Sequence, residues 1–213
     1  INKPLDNPSG IKDVEITIKS EPSSEGTIKD KVVVTPKLDP DTPGYVVDEI
    51  KYKDNAGNYV IITPDLETGE YAFDMPPYSV NLEITTKKAD LPVDKPGDQE
   101  QPPKPAGLDE ITTKKKNEDG TYSETENAQV GDIVKIIADN DTGYKPIEKG
   151  DITVTDKSTE TEAFPINDNF EFVMPAKEVL IKIDPKPIDY KISFVGNGSD
   201  SCTVPGSIDT VYD

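Results

Sequence analysis

The residues most open to a chemical reading are aspartates in turns. Asp39 and Asp41 stand in the run Leu38-Asp-Pro-Asp-Thr-Pro-Gly44, and Asp139 and Asp141 in Asp139-Asn-Asp-Thr-Gly-Tyr144. Carboxylates two positions apart in a flexible loop are the oxygen donors a Ca2+ ion takes, which makes calcium the one metal the chain suggests. The spacing departs from the EF-hand loop: counted from Asp139, Tyr144 stands where the sixth-position Gly belongs and Gly150 where the twelfth-position Glu belongs. Asp, Thr, Pro and Gly are also ordinary turn residues, and a structural turn is the preferred reading.

Other chemistries lack a component. A glycosidase needs two carboxylates about 5 to 9 Å apart in a cleft. With 42 Asp and Glu, close pairs are inevitable, and small repeats offer no cleft. Cys202 is the single cysteine, so it forms no internal disulfide and no Cys-based zinc site. With no His in the chain, the usual base that would activate its thiol is missing. A Lys–Asn isopeptide staple assisted by a buried acid is conceivable, although no motif places it. Among nine tyrosines, Tyr59, Tyr78 and Tyr122 lie in or beside turns and are expected to be exposed, as platforms on which a sugar could stack. No residue is expected to be catalytic or to hold a cofactor, and the chain does not read as an enzyme.

The bulk numbers narrow the partners. The net charge is −19, which repels nucleic acid and anionic membrane surfaces. All the basic residues are lysines, and the guanidinium fork that grips phosphate is absent. Hydrophobic residues make up 33% of the chain, enough for small cores rather than one large one. No apolar run approaches the ~18 residues needed to span a bilayer, so no membrane insertion is expected. The chain begins at Ile1 rather than Met and ends within a pattern, so it is expected to be a monomeric piece of a longer protein, and missing targeting signals carry little weight.

These residues sit on a framework of short alternating segments. Val14, Ile16 and Ile18 alternate with Glu15 and Thr17, and Lys31-Val-Val-Val-Thr35 follows after a turn. Tyr45 to Lys53 alternates with one slip that suggests a bulge. Asp54-Asn-Ala-Gly57 is hairpin-turn chemistry. No segment has a helical period, and the class is all-β.

One stretch occurs twice. Tyr71-Ala-Phe-Asp-Met-Pro76 is followed by Val80, Leu82 and Ile84; Phe170-Glu-Phe-Val-Met-Pro175 is followed by Val179, Ile181 and Ile183. Gly44 precedes Met75 by 31 positions, as Gly143 precedes Met174. So many matches in one register make a repeat. Tyr71, Phe73, Met75 and Pro76, with Phe170, Phe172, Met174 and Pro175, are expected to be core residues of a closing hairpin. Val80, Leu82 and Ile84 would supply its partner strand. The expected organisation is a lead-in over 1–10, a β domain over 11–88, a Pro-rich spacer over 89–107, a second β domain over 108–186 and the start of a truncated third repeat over 187–213. Polyproline-like chain rises ~3.1 Å per residue, so the spacer would reach on the order of 50 Å.

The pattern from Gly143 to Ile183 resembles the divergent InlB B-repeat type of bacterial repeat domain, found in tandem in surface and secreted proteins of Gram-positive bacteria. Tyr190-Lys-Ile-Ser-Phe-Val-Gly-Asn-Gly198 resembles the opening strand of related listeria-bacteroides repeats. The resemblance implies an extracellular, cell-wall-associated protein and no catalytic residue. The expectation is therefore tandem small β domains, β-sandwich or β-grasp-like, serving as a non-catalytic stalk or spacer. The alternative is an adhesin segment that binds host glycan or protein.

Overall fold

The computed structural model describes residues 1–19, 21–22, 24–98, 103–192 and 208–211. The chain is all-β and divides into two compact units, Ile1–Ala89 and Asp90–Asp213.

Unit 1 holds β1 (Ile11–Ile18), β2 (Glu21–Pro22), β3 (Lys31–Leu38), β4 (Tyr45–Lys53), β5 (Tyr59–Ile62), β6 (Tyr71–Asp74) and β7 (Leu82–Lys88). One sheet runs β2-β1-β3-β6 and the other β5-β4-β7. Both turn their apolar residues to one core. Val14, Ile16, Ile18, Val32 and Val34 come from the first sheet, and Ile50, Tyr52, Ile62, Leu82 and Ile84 from the second. This is a two-layer sandwich rather than a β-grasp arrangement, because the layer facing each sheet is another sheet. The slip expected in β4 is a bulge between Val47 and Glu49. The Asp54–Gly57 turn closes the β4–β5 hairpin, with Asp54 accepting from the amides of Ala56 and Asn58 at 2.8 Å each.

Unit 2 holds β8 (Asp90–Asp94), β9 (Leu108–Lys116), β10 (Tyr122–Glu124), β11 (Asn127–Gln129), β12 (Ile133–Asn140), β13 (Ile152–Asp156), β14 (Ala163–Phe164), β15 (Glu171–Val173) and β16 (Val179–Ile183). A pair β17 (Asp189–Ile192) and β18 (Ile208–Val211) follows. The sheets are β10-β9-β12-β15 and β11-β8-β16-β13-β14. The architecture of unit 1 returns: β9, β12 and β15 take the places of β1, β3 and β6, and β13 and β16 those of β4 and β7. Val32 lies opposite Phe73, and Val134 opposite Phe172. Even the bulge after the first residue of β1, between Ile11 and Asp13, recurs in β9, between Leu108 and Glu110, which face the consecutive Asn140 and Asp139.

Two expectations are corrected. The repeated aromatic–Met–Pro stretch is not a hairpin. β6 pairs with β3 in one sheet, whereas β7 pairs with β4 in the other, and β15 and β16 divide in the same way. Pro76 and Pro175 have no amide hydrogen to continue a ladder, so the chain leaves the first sheet at Met75 or Met174 and crosses the core. It enters the facing sheet at Val80 or Val179, both fully buried.

The Pro-rich segment 89–107 does not begin as free spacer. Its first part is β8, paired antiparallel with β11 and parallel with β16, where Val179 faces Val93. Val93 is 1% exposed in the unit 2 core, and Pro96 is also buried. Leu91 and Val93 alternate, which in a strand carries both to one face, and this short apolar period outweighs the surrounding prolines. The lead-in 1–10 behaves likewise. Asn2 bridges Asn81 in parallel, its amide donating to Val80 at 2.8 Å and its carbonyl accepting from Leu82 at 3.1 Å. In both units, therefore, the first residues lie parallel to the last strand.

The unit ends also match. The Ala89 amide donates to the Gly44 carbonyl at 2.8 Å, and the Ile188 amide, 99 positions later, donates to Gly143 at 2.8 Å. Asp184-Pro-Lys-Pro187 thus pairs in part with the Gly143–Lys145 segment, Pro187 forming a bridge with Tyr144.

Candidate interaction surfaces

The turn aspartates come first. Asp39 accepts from the Asp41 amide at 3.1 Å and the Thr42 hydroxyl at 3.1 Å, so its carboxylate is engaged in its own turn. Its amide donates to the Gly10 carbonyl at 2.8 Å; the residue that does the same in unit 2 is Asp141, to Gly107 at 2.9 Å. Asp39 therefore corresponds to Asp141. Asp139, paired with it by sequence, is an exposed residue of β12 opposite Glu110. Among the described residues no group of three or more acidic or sulfur ligands could hold a metal.

These loops have a steric function. Gly10 (φ +81°) and Gly107 (φ +87°) lie under Tyr45 and Tyr144, and a Cβ on either would come within 2.3 Å of the tyrosine side chain. Each contact, Gly10 with Tyr45 and Gly107 with Tyr144, is thus a packing device in which the ring covers a backbone that leaves no room for a side chain.

The tyrosines expected at the surface divide. Tyr59, on edge strand β5, is 50% exposed. Its ring lies 4.7 Å from Lys51 Nζ and 4.9 Å from Lys53 Nζ, and its hydroxyl donates to Glu83 at 3.5 Å. Ile61, two residues on along the strand, is 58% exposed. Tyr122 is half-buried between Lys116 at 6.0 Å and Lys135 at 5.4 Å, and its hydroxyl donates to Glu171. That bond raises the Tyr122 pKa and lowers that of Glu171. In both clusters ammonium groups lie against the ring that a sugar would need. Tyr78 is half-buried and packs against the unit 1 core.

The repeated stretch forms the edge strand of one sheet in each unit, β6 or β15. In unit 2, Phe172 and Met174 are 2% and 1% exposed, while Phe170 sits just before β15 with φ 60°. Phe170 borders an apolar notch of about 330 Å3 with Ile136, Ala138, Ile147 and Ile152. In unit 1, Tyr71, Phe73 and Met75 are half-buried against the core. Tyr71 borders a notch of about 530 Å3 with Val34, Pro36, Leu38 and Val47.

One charged cluster was not legible in the sequence. Asp156 at the end of β13 is 3% exposed and accepts from Lys177 Nζ at 2.8 Å, the Ser158 hydroxyl at 2.6 Å and the Ser158 amide at 2.8 Å. Lys177 also meets Glu162 at 2.6 Å. This is a lysine beside a buried acid, the geometry an isopeptide staple requires, with Asp in place of Asn. In this structure the two form an ion pair, and the hydrogen bond to Asp156, followed by that to Glu162, raises the Lys177 pKa above the usual lysine range. Cys202 lies outside the described residues.

Among the described residues no helix is long and apolar enough to cross a membrane. No protein-family profile, curated protein or solved structure matches the chain.

Proposed function

We propose that this chain is a non-catalytic repeat region of a bacterial cell-surface or secreted protein, acting as a stalk or spacer. The observation that carries the reading is what the two units have in common. They share the buried frame: the sheet order, the crossover at Met-Pro, the Gly–Tyr packing and the parallel pairing of first and last residues. Their exposed polar clusters differ. The Tyr59 group lies on the β5-β4-β7 sheet of unit 1 and the Tyr122 group on the β10-β9-β12-β15 sheet of unit 2. A repeat that keeps its frame while its outward chemistry varies suits a structural module better than a site used twice. Antibodies against the chain should label intact cells of the producing bacterium, and host-glycan arrays and pulldowns with the chain should stay blank.

The adhesin reading draws on one specific observation, a notch in each unit beside Tyr71 or Phe170, apolar in unit 2 and mixed in unit 1, where Thr35, Thr68 and Glu70 also line it. The unit 2 notch suits a small apolar group. A reproducible array or pulldown signal lost on Tyr71→Ala together with Phe170→Ala would replace the stalk reading by this one.

A further inference from the structure

The geometry points to a mechanical clamp in each unit, formed by the parallel pairing of its first residues with its last strand. In unit 2 β8 begins at Asp90 and β16 ends at Ile183, beyond which Lys186 and Ile188 stay bonded to Lys145 and Gly143. Because β8 and β16 are parallel, these points lie at opposite ends of the pair. Tension along the chain therefore slides one strand past the other and loads the bonds between them together. Antiparallel neighbours pulled from the same end would instead open one bond at a time. In unit 1 Asn2 is held between Val80 and Leu82 by two backbone bonds, and its side chain donates to Asn81 at 2.7 Å. The chain again leaves from the far end, at Lys88.

Unit 2 adds pins across the pair. Lys157, following β13, lies 2.6 Å from Asp94 on β8 and 3.4 Å from Glu178 just before β16. Its amide donates to the Glu178 carbonyl at 3.0 Å. The first strand is also fixed on its other side, where the Val93 amide donates to Glu126 at 2.9 Å. In unit 1 the Ile1 ammonium donates to Ser24 at 2.7 Å in the same way. β8 is thus held between β16 and β11, and residues 1–2 between the Val80–Leu82 segment and the loop that leads to β3.

The inference deepens the stalk reading, since a surface stalk under drag must hold its fold by the rate at which it unfolds under load. The test uses the full chain carrying Cys202→Ser and Glu178→Cys in both arms, so that the loss of the Glu178 carboxylate is common to them, and compares two pulling geometries at constant tension. One pulls between the chain termini. The other pulls between the N-terminus and a thiol handle at Glu178→Cys, which lies at the upstream end of β16 and so peels β16 from β8. Unit 1 is sheared in both and serves as the internal reference. Unit 2 is expected to unfold at least about tenfold faster when peeled, equivalent to roughly 1.4 kcal/mol of barrier. Equal rates in the two geometries would overturn the clamp. If Glu178→Cys loses its thermal transition, Lys157→Met pulled from the termini decides. It keeps an apolar stem and removes the pin; faster unfolding of unit 2 supports the clamp and an unchanged rate overturns it. Neither result touches the array and labelling experiments, on which the stalk reading stands or falls separately.

Discussion

Lys177 Nζ lies 2.8 Å from Asp156 Oδ2, an exposed ammonium meeting a carboxylate that is 3% exposed. The bond, with those from Ser158, holds the Asp156 carboxyl well below the usual carboxylate range. In unit 1 the arrangement differs: Tyr78 stands 99 positions before Lys177, and Asp54, 102 positions before Asp156, accepts from Ala56 and Asn58 instead. The pair is therefore a feature of unit 2 alone, and its removal should mark that unit's unfolding.

A depressed folded-state pKa contributes stability that is present above the ordinary carboxylate value and is lost as pH falls. Unit 2 should lose stability below about pH 4, where the unfolded chain takes up the proton first. Asp156→Asn should lower the unit 2 transition at neutral pH and flatten this acid limb. Calorimetry between neutral and acidic pH checks both; an acid limb as steep as in the parent would remove Asp156 from the account.

Gly107→Ala should destabilise unit 2 by roughly 2 kcal/mol, since it combines a positive φ with a Cβ driven into the Tyr144 ring. Gly120→Ala has φ +84° but nothing within 4 Å, so it should cost only about 1 kcal/mol. Urea unfolding of the two variants separates steric packing from backbone preference.

Phe172→Ala and Met174→Ala should each cost about 2 to 5 kcal/mol, as buried large-to-small changes do. Val173→Ala, one position away and 61% exposed, should stay within about 0.5 kcal/mol. Equal losses at all three positions would contradict the alternation along β15.

A fragment starting at Leu108, the start expected for the second domain, should fail to fold as unit 2 does, while one starting at Asp90 should fold. The shorter fragment lacks Val93 and leaves β11 and β16 without the strand between them. Amide chemical-shift dispersion of the two fragments checks this, and a well-dispersed spectrum for the shorter one would return 90–107 to the status of spacer.

The surface clusters were legible in proportion to how local they are. Tyr59 beside its turn, with Lys51 and Lys53 nearby in sequence, follows from strand pairing across one hairpin. Asp156 and Lys177 are 21 positions apart on different segments, and no periodicity links them. Tyr78 misled because a turn-side aromatic can fold inward as readily as outward.

The sequence by itself determined the all-β class, the repeat, and the inward positions Phe73, Phe172 and Met174, because period-two alternation and a fixed offset are properties of the chain alone. It also revealed the slip in β4 and the Asp54–Gly57 turn, both set by neighbouring residues. Only the tertiary structure decided which strands pair. Val80, Leu82 and Ile84 have the same alternation whether they return beside β6 or cross to the facing sheet. The choice lies in which core they fill and in the amide that Pro76 lacks. The same holds for Asn2 and Val93: a short segment beside prolines pairs in parallel when residues some 80 positions downstream are there to receive it.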